Sequence, residues 1–418
     1  MEPARTGARV PAGGPEIGSE TVLDGTDTPG HLSGPAAPAR PDEPLLRPFP
    51  GLRYDPRVAG PVEDLLAPPH TELDRARRAA FLASSPHVVT HLERPEHGTG
   101  STRPLVLDWL DRGVLLQDPA SFYVVRQREA SGGTRHFLLG TLTVTPDDRR
   151  VHPHEGVFEQ AVLARLHRLE ATRVDSEPVL VVDSDPWPVA WSGPERLGDR
   201  VLGSAGAFGS VDVWRVREPD VVDALVQASA WHRFLIADGH HRYAAALLAA
   251  RRSGRPQQLL VAVADESVEP VDVRALHRVL PTEAAQCVLR GADRRRRLPD
   301  LSPSVLREVQ AALGATQAVV VLPAGAEVVE GSAPGDGTVG AGAWVDALVR
   351  DGGTPADSVR YQSDLDLVLT EARGAAAVLL PRPTIAGLTA LADEGALMGR
   401  KTTSFRPKPL AGTVLRLR

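Results

Sequence analysis

The sequence predicts a mixed α/β fold of the α+β kind, and three observations carry that expectation. Short apolar runs (Pro178–Val182, Phe234–Ala237 and Leu259–Val263) sit between longer segments with helical spacing, such as Gly156–Ala171 with Val157, Val162, Leu163, Leu166 and Leu169. Phe122–Gln127 and Phe137–Val144 flank Ala130-Ser-Gly-Gly133, the signal of a β-hairpin. Finally, Phe234–Ala237 runs through the turn pair Asp238-Gly239 into an Ala/Leu-rich stretch that opens at His240 or His241 and ends at Ser253-Gly254. This order reads as strand, tight turn and helix with a glycine C-cap.

Taken in order, residues 1–44 are rich in Gly, Pro, Ala, Ser and Thr and have few large apolar groups. Such a composition buries too little surface to offset the entropy of ordering, so a disordered tail is expected. Residues 45–150 read as an N-terminal α+β region, with helices over Glu72–Ala83 and Pro104–Gly113 and then the hairpin. Residues 151–290 read as the phosphate-binding core and add the Pro219–Ala230 helix and a strand over Asp212–Arg215. Residues 291–418 read as a C-terminal α/β region, with helices over Ser302–Leu313 and Thr384–Glu394 and strands over Ala318–Leu322 and Ala375–Leu380. Gly203–Ser210 is expected as a loop and Arg294–Arg297 as a solvated loop or helix face. Met398–Lys408 is polar and irregular.

Composition limits the function classes. A net charge of −6 argues against wholesale nucleic-acid binding. The single cysteine, Cys287, excludes an internal disulfide framework and a Cys-rich zinc site, and fits a reducing cytoplasm. No apolar run reaches the length of a membrane span, and the first residues lack the order of a signal peptide. No P-loop and no G-x-S-x-G elbow is present.

Three polar clusters remain as candidates for chemistry: His154-Glu155 ahead of a helix, Asp238–Arg242, and Lys401-Thr402-Thr403 with Lys408. A helix opening after a Gly turn aims unpaired N–H groups at an anion. Beside it, Asp238 can bind a metal, and His240, His241 and Arg242 can neutralise phosphate oxygens. If the strands at 178–182 and 234–237 are neighbours, Glu155 reaches the same pocket and can take the proton of a substrate alcohol. Lys401 and Thr403 can bind a carboxylate or a phosphate oxygen. The plainer alternatives are an N-terminal helix carboxylate at Glu155, a buried Asp-Gly turn at 238–239 and a solvated tail at Lys401 and Lys408. A zinc site of His152, His154, His240 and His241 is disfavoured because adjacent histidines diverge.

HPHEGV at 152–157, RLHRL at 165–169, EPVLVVD at 177–183 and ADGHHRYAAAL at 237–247 together resemble the ParB/sulfiredoxin-like superfamily, in particular its free-serine-kinase branch. The wider chain resembles a bacterial and archaeal family of unknown function. Its marks are PF-x-G-L-R (Pro48–Arg53 here), IADGHHR and a C-terminal MPxKSTxFxPK, present as Met398-Gly-Arg-Lys-Thr-Thr-Ser-Phe-Arg-Pro-Lys408. The family's PPYD is Pro68-Pro69-His70-Thr71 here, and Thr402 replaces the serine of the C-terminal motif.

The resemblance implies a ParB/sulfiredoxin-like core with N- and C-terminal additions. It implies an ATP- or ADP-dependent kinase acting on the hydroxyl of free L-serine or a related metabolite, with Mg²⁺. By motif position Glu155 is the general base, while Asp238, Gly239, His240, His241 and Arg242 hold nucleotide phosphates and the metal, which Asp238 ligates; His241 and Asp238 also count as catalytic. Sulfiredoxins carry a cysteine where His240 stands, and ParB proteins carry a DNA-binding helix that this acidic chain does not suggest. The competing readings are a nucleotide-binding regulatory protein without transfer, and an NTPase with water as acceptor.

Overall fold

The structure, a computed structural model, describes residues 43–69, 72–93, 102–130, 132–146, 148–335 and 337–418. Apart from its last two residues, the expected tail 1–44 lies outside the described residues, as do His70 and Thr71.

Nine strands form the principal sheet. They are β1 (Leu46–Arg47), β2 (Phe122–Arg128), β3 (Thr134–Val144), β4 (Val151–His152), β5 (Val179–Asp183), β6 (Gly198–Gly206), β7 (Gly209–Val216), β8 (Phe234–Asp238) and β9 (Gln257–Asp265). Their order is β4-β8-β5-β9-β3-β2-β7-β6, with β1 added to β3. The sheet is mixed: β8 runs parallel to β4 and antiparallel to β5, while β9 runs parallel to β5 and antiparallel to β3.

Both faces of the central strands are covered, which explains their unbroken apolar sequences. Successive side chains point to opposite faces. Leu180, Val182, Leu235, Ala237, Leu260 and Ala262 therefore enter one core, while Val179, Val181, Phe234, Ile236, Leu259 and Val261 enter another. The second core takes Tyr243 and Ala246 from helix α2 (His240–Ser253). Helix α1 (Glu159–Thr172) lies on α2 through Val162 and Leu166 against Ala245 and Ala249.

A second sheet has six strands in the order Arg294–Leu298, Gly325–Glu330, Gln317–Leu322, Ala376–Leu379, His277–Leu280 and Arg360–Gln362, all antiparallel to their neighbours. The mixed sheet-and-helix class therefore holds.

Three local expectations change. Gly203–Ser210 is no loop: Gly206 pairs with Gly209 at the tip of the β6–β7 hairpin, and Gly209 has φ 101°. Small residues hide the alternation there, and pairing with β2 supplies what the side chains do not signal. Arg294–Arg297 is an edge strand with all four arginines exposed, and charge on an edge deters further pairing.

The C-terminal segment departs furthest from a solvated tail. Thr403–Arg406 pairs with Asp272–Ala275. Leu415–Leu417 pairs with both Gly51–Tyr54 and Val174–Asp175. Phe405, Leu410, Ala411, Val414 and Leu415 belong to the core under the central sheet. Gln127 secures this path, donating to the Lys408 carbonyl at 2.8 Å and accepting the Leu410 N–H at 3.1 Å.

Leu415→Ala separates the two arrangements. Leu415 has no exposed surface, so truncation is expected to destabilise the protein by about 2–5 kcal/mol in urea unfolding. A change within about 0.5 kcal/mol, usual for a solvated residue, would contradict the packed segment.

Candidate functional site

Strand β8 delivers Asp238 to the site through an irregularity in its pairing with β5, which re-aims the last residue. Gly239 follows with φ 98° and ψ 24° as the N-cap of α2. A Cβ there would sit 2.9 Å from both Arg242 Nη2 and Val179 Cγ2, in a backbone region that side chains rarely adopt. No side chain caps the first turn of α2, so its leading N–H groups remain available to an anion.

The Asp238 carboxylate is shared between two cations. Lys408 Nζ donates to Oδ1 at 2.6 Å and Arg242 Nη2 to Oδ2 at 3.0 Å. Burial pushes the carboxyl up, but Lys408 and Arg242 together outweigh it and hold it well below the usual carboxylate range. Arg242 is itself anchored: Nη1 donates to the carbonyls of Glu177 and Pro178 at 2.8 and 2.9 Å, and Nη2 pairs with the Glu177 carboxylate at 3.0 Å. Its guanidinium braces the start of β5 and positions Asp238.

The two histidines of the turn diverge. His240 points inward, its ring edge-on to His154 with centroids 4.6 Å apart. Burial is the main cause that lowers His240 to about 4 and His154 to about 3, so both are neutral. His154 Nε2 meets the Thr403 hydroxyl at 2.9 Å. His240 Nε2 is buried with no hydrogen-bond partner among the described residues. His241 turns toward α1, where its Nε2 accepts the Phe158 N–H at 3.1 Å; burial, then Lys401, lowers it. Among the described residues, the one group spaced to hold a metal is Asp183, Asp185 and His232, at the other end of β5, and none of the four histidines weighed for zinc belongs to it.

Glu155 enters from the segment between β4 and α1. It bridges to Met398, whose N–H donates to the His154 carbonyl at 2.8 Å. Glu155 Oε1 accepts the Lys401 N–H at 2.7 Å, and Oε2 accepts the Thr402 N–H at 3.3 Å and the Thr403 hydroxyl at 3.4 Å. Lys401 has φ 54°. Behind this turn, Arg278 donates to the Lys401 and Arg400 carbonyls at 3.0 and 3.3 Å and to the Leu276 carbonyl. Its fully buried guanidinium also pairs with Asp346 at 2.6 Å. The sequence did not single out Arg278, Asp346 or Glu177; Arg278 lies in the short strand His277–Leu280, whose four residues are all buried.

These elements enclose a cavity of about 500 Å³. Its lining includes Glu155, Asp238, Gly239, His240, His241, Arg242, Lys401 and Thr403, with Lys408, Phe158 and Tyr361 beside them; His154 and Thr402, also singled out from the sequence, are buried and do not line it. The uncapped helix turn and Lys401 suit an anionic ligand. Asp238 does not fit a directly bound Mg²⁺, because each of its oxygens already receives a cation.

Residues 46–298 match the family described as "Protein of unknown function (DUF1015)". No curated protein matches the chain in sequence. Among solved structures, a free serine kinase in complex with AMP is similar at 14% identity and a TM-score of 0.38, over 63% of this chain and 86% of that one. A mutant free serine kinase in complex with ADP is similar at 13% identity and a TM-score of 0.40, over 63% and 87%. A conserved hypothetical protein from Pyrococcus furiosus is similar at 13% identity and a TM-score of 0.38, over 66% and 93%. No helix among the described residues is long and apolar enough to cross a membrane.

The buried histidines fix a pH dependence of stability. His240 and His154 lie below their ordinary value of 6.5 when folded. The unfolded chain therefore takes up protons that the folded chain does not, and their contribution, fully present above about pH 6.5, is lost as pH falls toward 4. Urea unfolding is expected to show a loss of a few kcal/mol in stability between pH 7 and 4.5, since each tenfold difference in proton affinity between the folded and unfolded chain is equivalent to about 1.4 kcal/mol. His240→Asn should flatten part of that slope, and an unchanged slope would show that His240 is not buried neutral.

Proposed function

The chain belongs to the DUF1015 family, whose description names no activity, and within it we propose that this protein is a small-molecule kinase. The reaction is transfer of the terminal phosphoryl group of ATP or ADP to the hydroxyl of free L-serine or a related small alcohol. One observation supports this reading above the others: a carboxylate, Glu155, and an uncapped helix turn from much later in the chain line one cavity with Lys401 and Lys408.

Phosphoryl transfer depends chiefly on positioning and charge neutralisation. In this reading the nucleotide phosphates lie over Gly239 and the first turn of α2, with His241 at their edge. Lys401 and Lys408 neutralise phosphate oxygens, and Thr403 supplies a hydroxyl. Asp238 and Arg242 act mainly as the frame that holds Lys408 and the turn in place. Glu155 takes the proton of the acceptor hydroxyl. The acceptor oxygen bonds to the terminal phosphorus, the bridging P–O bond breaks, and ADP or AMP leaves with the electron pair.

A second reading, nucleotide binding without transfer, draws on the engagement of both Glu155 oxygens by the 401–403 segment. It predicts nucleotide binding with no product for any alcohol.

The test is phosphorus NMR of reactions holding ATP or ADP, magnesium and a panel of serine, threonine, homoserine and related alcohols. A phosphate ester is expected with at least one acceptor, and Glu155→Gln should lower kcat by about 10²–10⁴-fold. Absence of any acceptor-dependent product, with hydrolysis unaffected by Glu155→Gln, would sink the kinase reading.

A further inference from the structure

We infer that the Arg400–Thr403 turn is an oxyanion-binding nest that Glu155 occupies in the free protein, and that a substrate oxyanion displaces Glu155 from it. The kinase reading enters only in what the displaced carboxylate then does; the nest itself rests on geometry.

Successive backbone N–H groups in a turn can face one point, and such concavities bind anions. Lys401 takes the left-handed conformation with φ 54°, which residues other than glycine rarely adopt. The turn is fixed from behind. Arg278, with no exposed surface, holds the carbonyls of Arg400 and Lys401, and the Thr402 hydroxyl donates to the Gly399 carbonyl at 2.6 Å. With the carbonyls held there, the Lys401 and Thr402 N–H groups face the Glu155 carboxylate. Lys401 and Thr403 both line the cavity, so the nest opens into it.

The occupant itself reports the specificity. Glu155 places one oxygen on each N–H, as a two-oxygen anion should. Its grip is uneven: one contact is 2.7 Å, while the others are 3.3 and 3.4 Å, longer than the 2.7–2.9 Å or so of strong charge-assisted bonds. Glu155 is only partly buried, so its side chain can swing into the cavity by rotamer change. A phosphoryl group or an acceptor carboxylate carries the same chemistry and can take the same donors. Displacement would free Glu155 to accept a proton only once an anionic substrate has arrived. Where the displacing group is the acceptor's carboxylate, that order would limit turnover of nucleotide without acceptor.

The test uses the full chain and two probes, inorganic phosphate and acetate, with the Lys401 and Thr402 amides followed by ¹⁵N NMR. Glu155→Ala removes the resident competitor. It is expected to bind at least one probe about tenfold more tightly than the wild type, the equivalent of about 1.4 kcal/mol, with the largest shifts at those two amides. Preference for phosphate assigns the nest to the phosphoryl group, and preference for acetate assigns it to an acceptor carboxylate. Glu155→Gln, which keeps the side-chain volume but not the charge, should move the same way by a smaller factor and covers failure of the alanine variant to fold. Unchanged affinity for both probes, or shifts confined to residues 240–242, overturns the nest. Tighter anion binding without any kinase turnover leaves the nest standing and removes the kinase reading; Glu155-dependent turnover with unchanged anion affinity does the reverse.

Discussion

The Asp238 carboxylate is the constraint around which the rest is arranged. A carboxylate at the end of a buried strand needs compensating charge, and here that charge arrives from two distant places. Arg242 reaches back from the helix that the strand itself starts, and Lys408 reaches in from near the end of the chain. Arg242 in turn ties the carbonyls of Glu177 and Pro178, so the same network sets the start of the neighbouring strand. Such a network adds less to net stability than its short distances suggest, because desolvation opposes the Coulomb attraction. Its effect is on position: it holds a lysine ammonium, a helix N-terminus and a glycine turn around one volume.

Burial of the C-terminal segment follows from that constraint. Lys408 can serve Asp238 only if the chain before and after it is threaded through the core. The segment manages this although it is polar, because nearly every polar group meets a partner. Thr402 serves a backbone carbonyl, Thr403 meets His154, and Gln127 pairs with main chain on both sides of Pro409. Leu410, Ala411, Val414 and Leu415 then supply the apolar contact that a surface tail would lack.

The other wall of the site belongs to the second sheet. Arg278 stands in one of its inner strands, yet its guanidinium reaches the Arg400–Lys401 main chain. Through that contact the six-stranded sheet shapes the turn that receives Glu155. Two sheets thus meet over a cavity whose floor is the β8–α2 turn and whose rim is the 398–408 segment.

The strand–turn–helix around Asp238-Gly239 was legible in the residues alone, down to an opening at His240 or His241 and the stop at Gly254, because an apolar run, a turn glycine and an alanine-rich helix are local physics. So was the company of Glu155, Asp238, His240, His241, Lys401 and Thr403, which rested on three polar clusters and on the expectation that the strands at 178–182 and 234–237 are neighbours. What only the tertiary structure decided was how those groups are used. Arg242 and Asp238 spend their hydrogen bonds on the frame, Glu155 rests on backbone N–H groups, and Arg278, Asp346 and Glu177 join the site unannounced. The hairpin at Gly203–Ser210 and the strand of four arginines were hidden for the same reason. Their conformation is imposed by pairing partners far along the chain, and long-range pairing leaves no mark in the residues that submit to it.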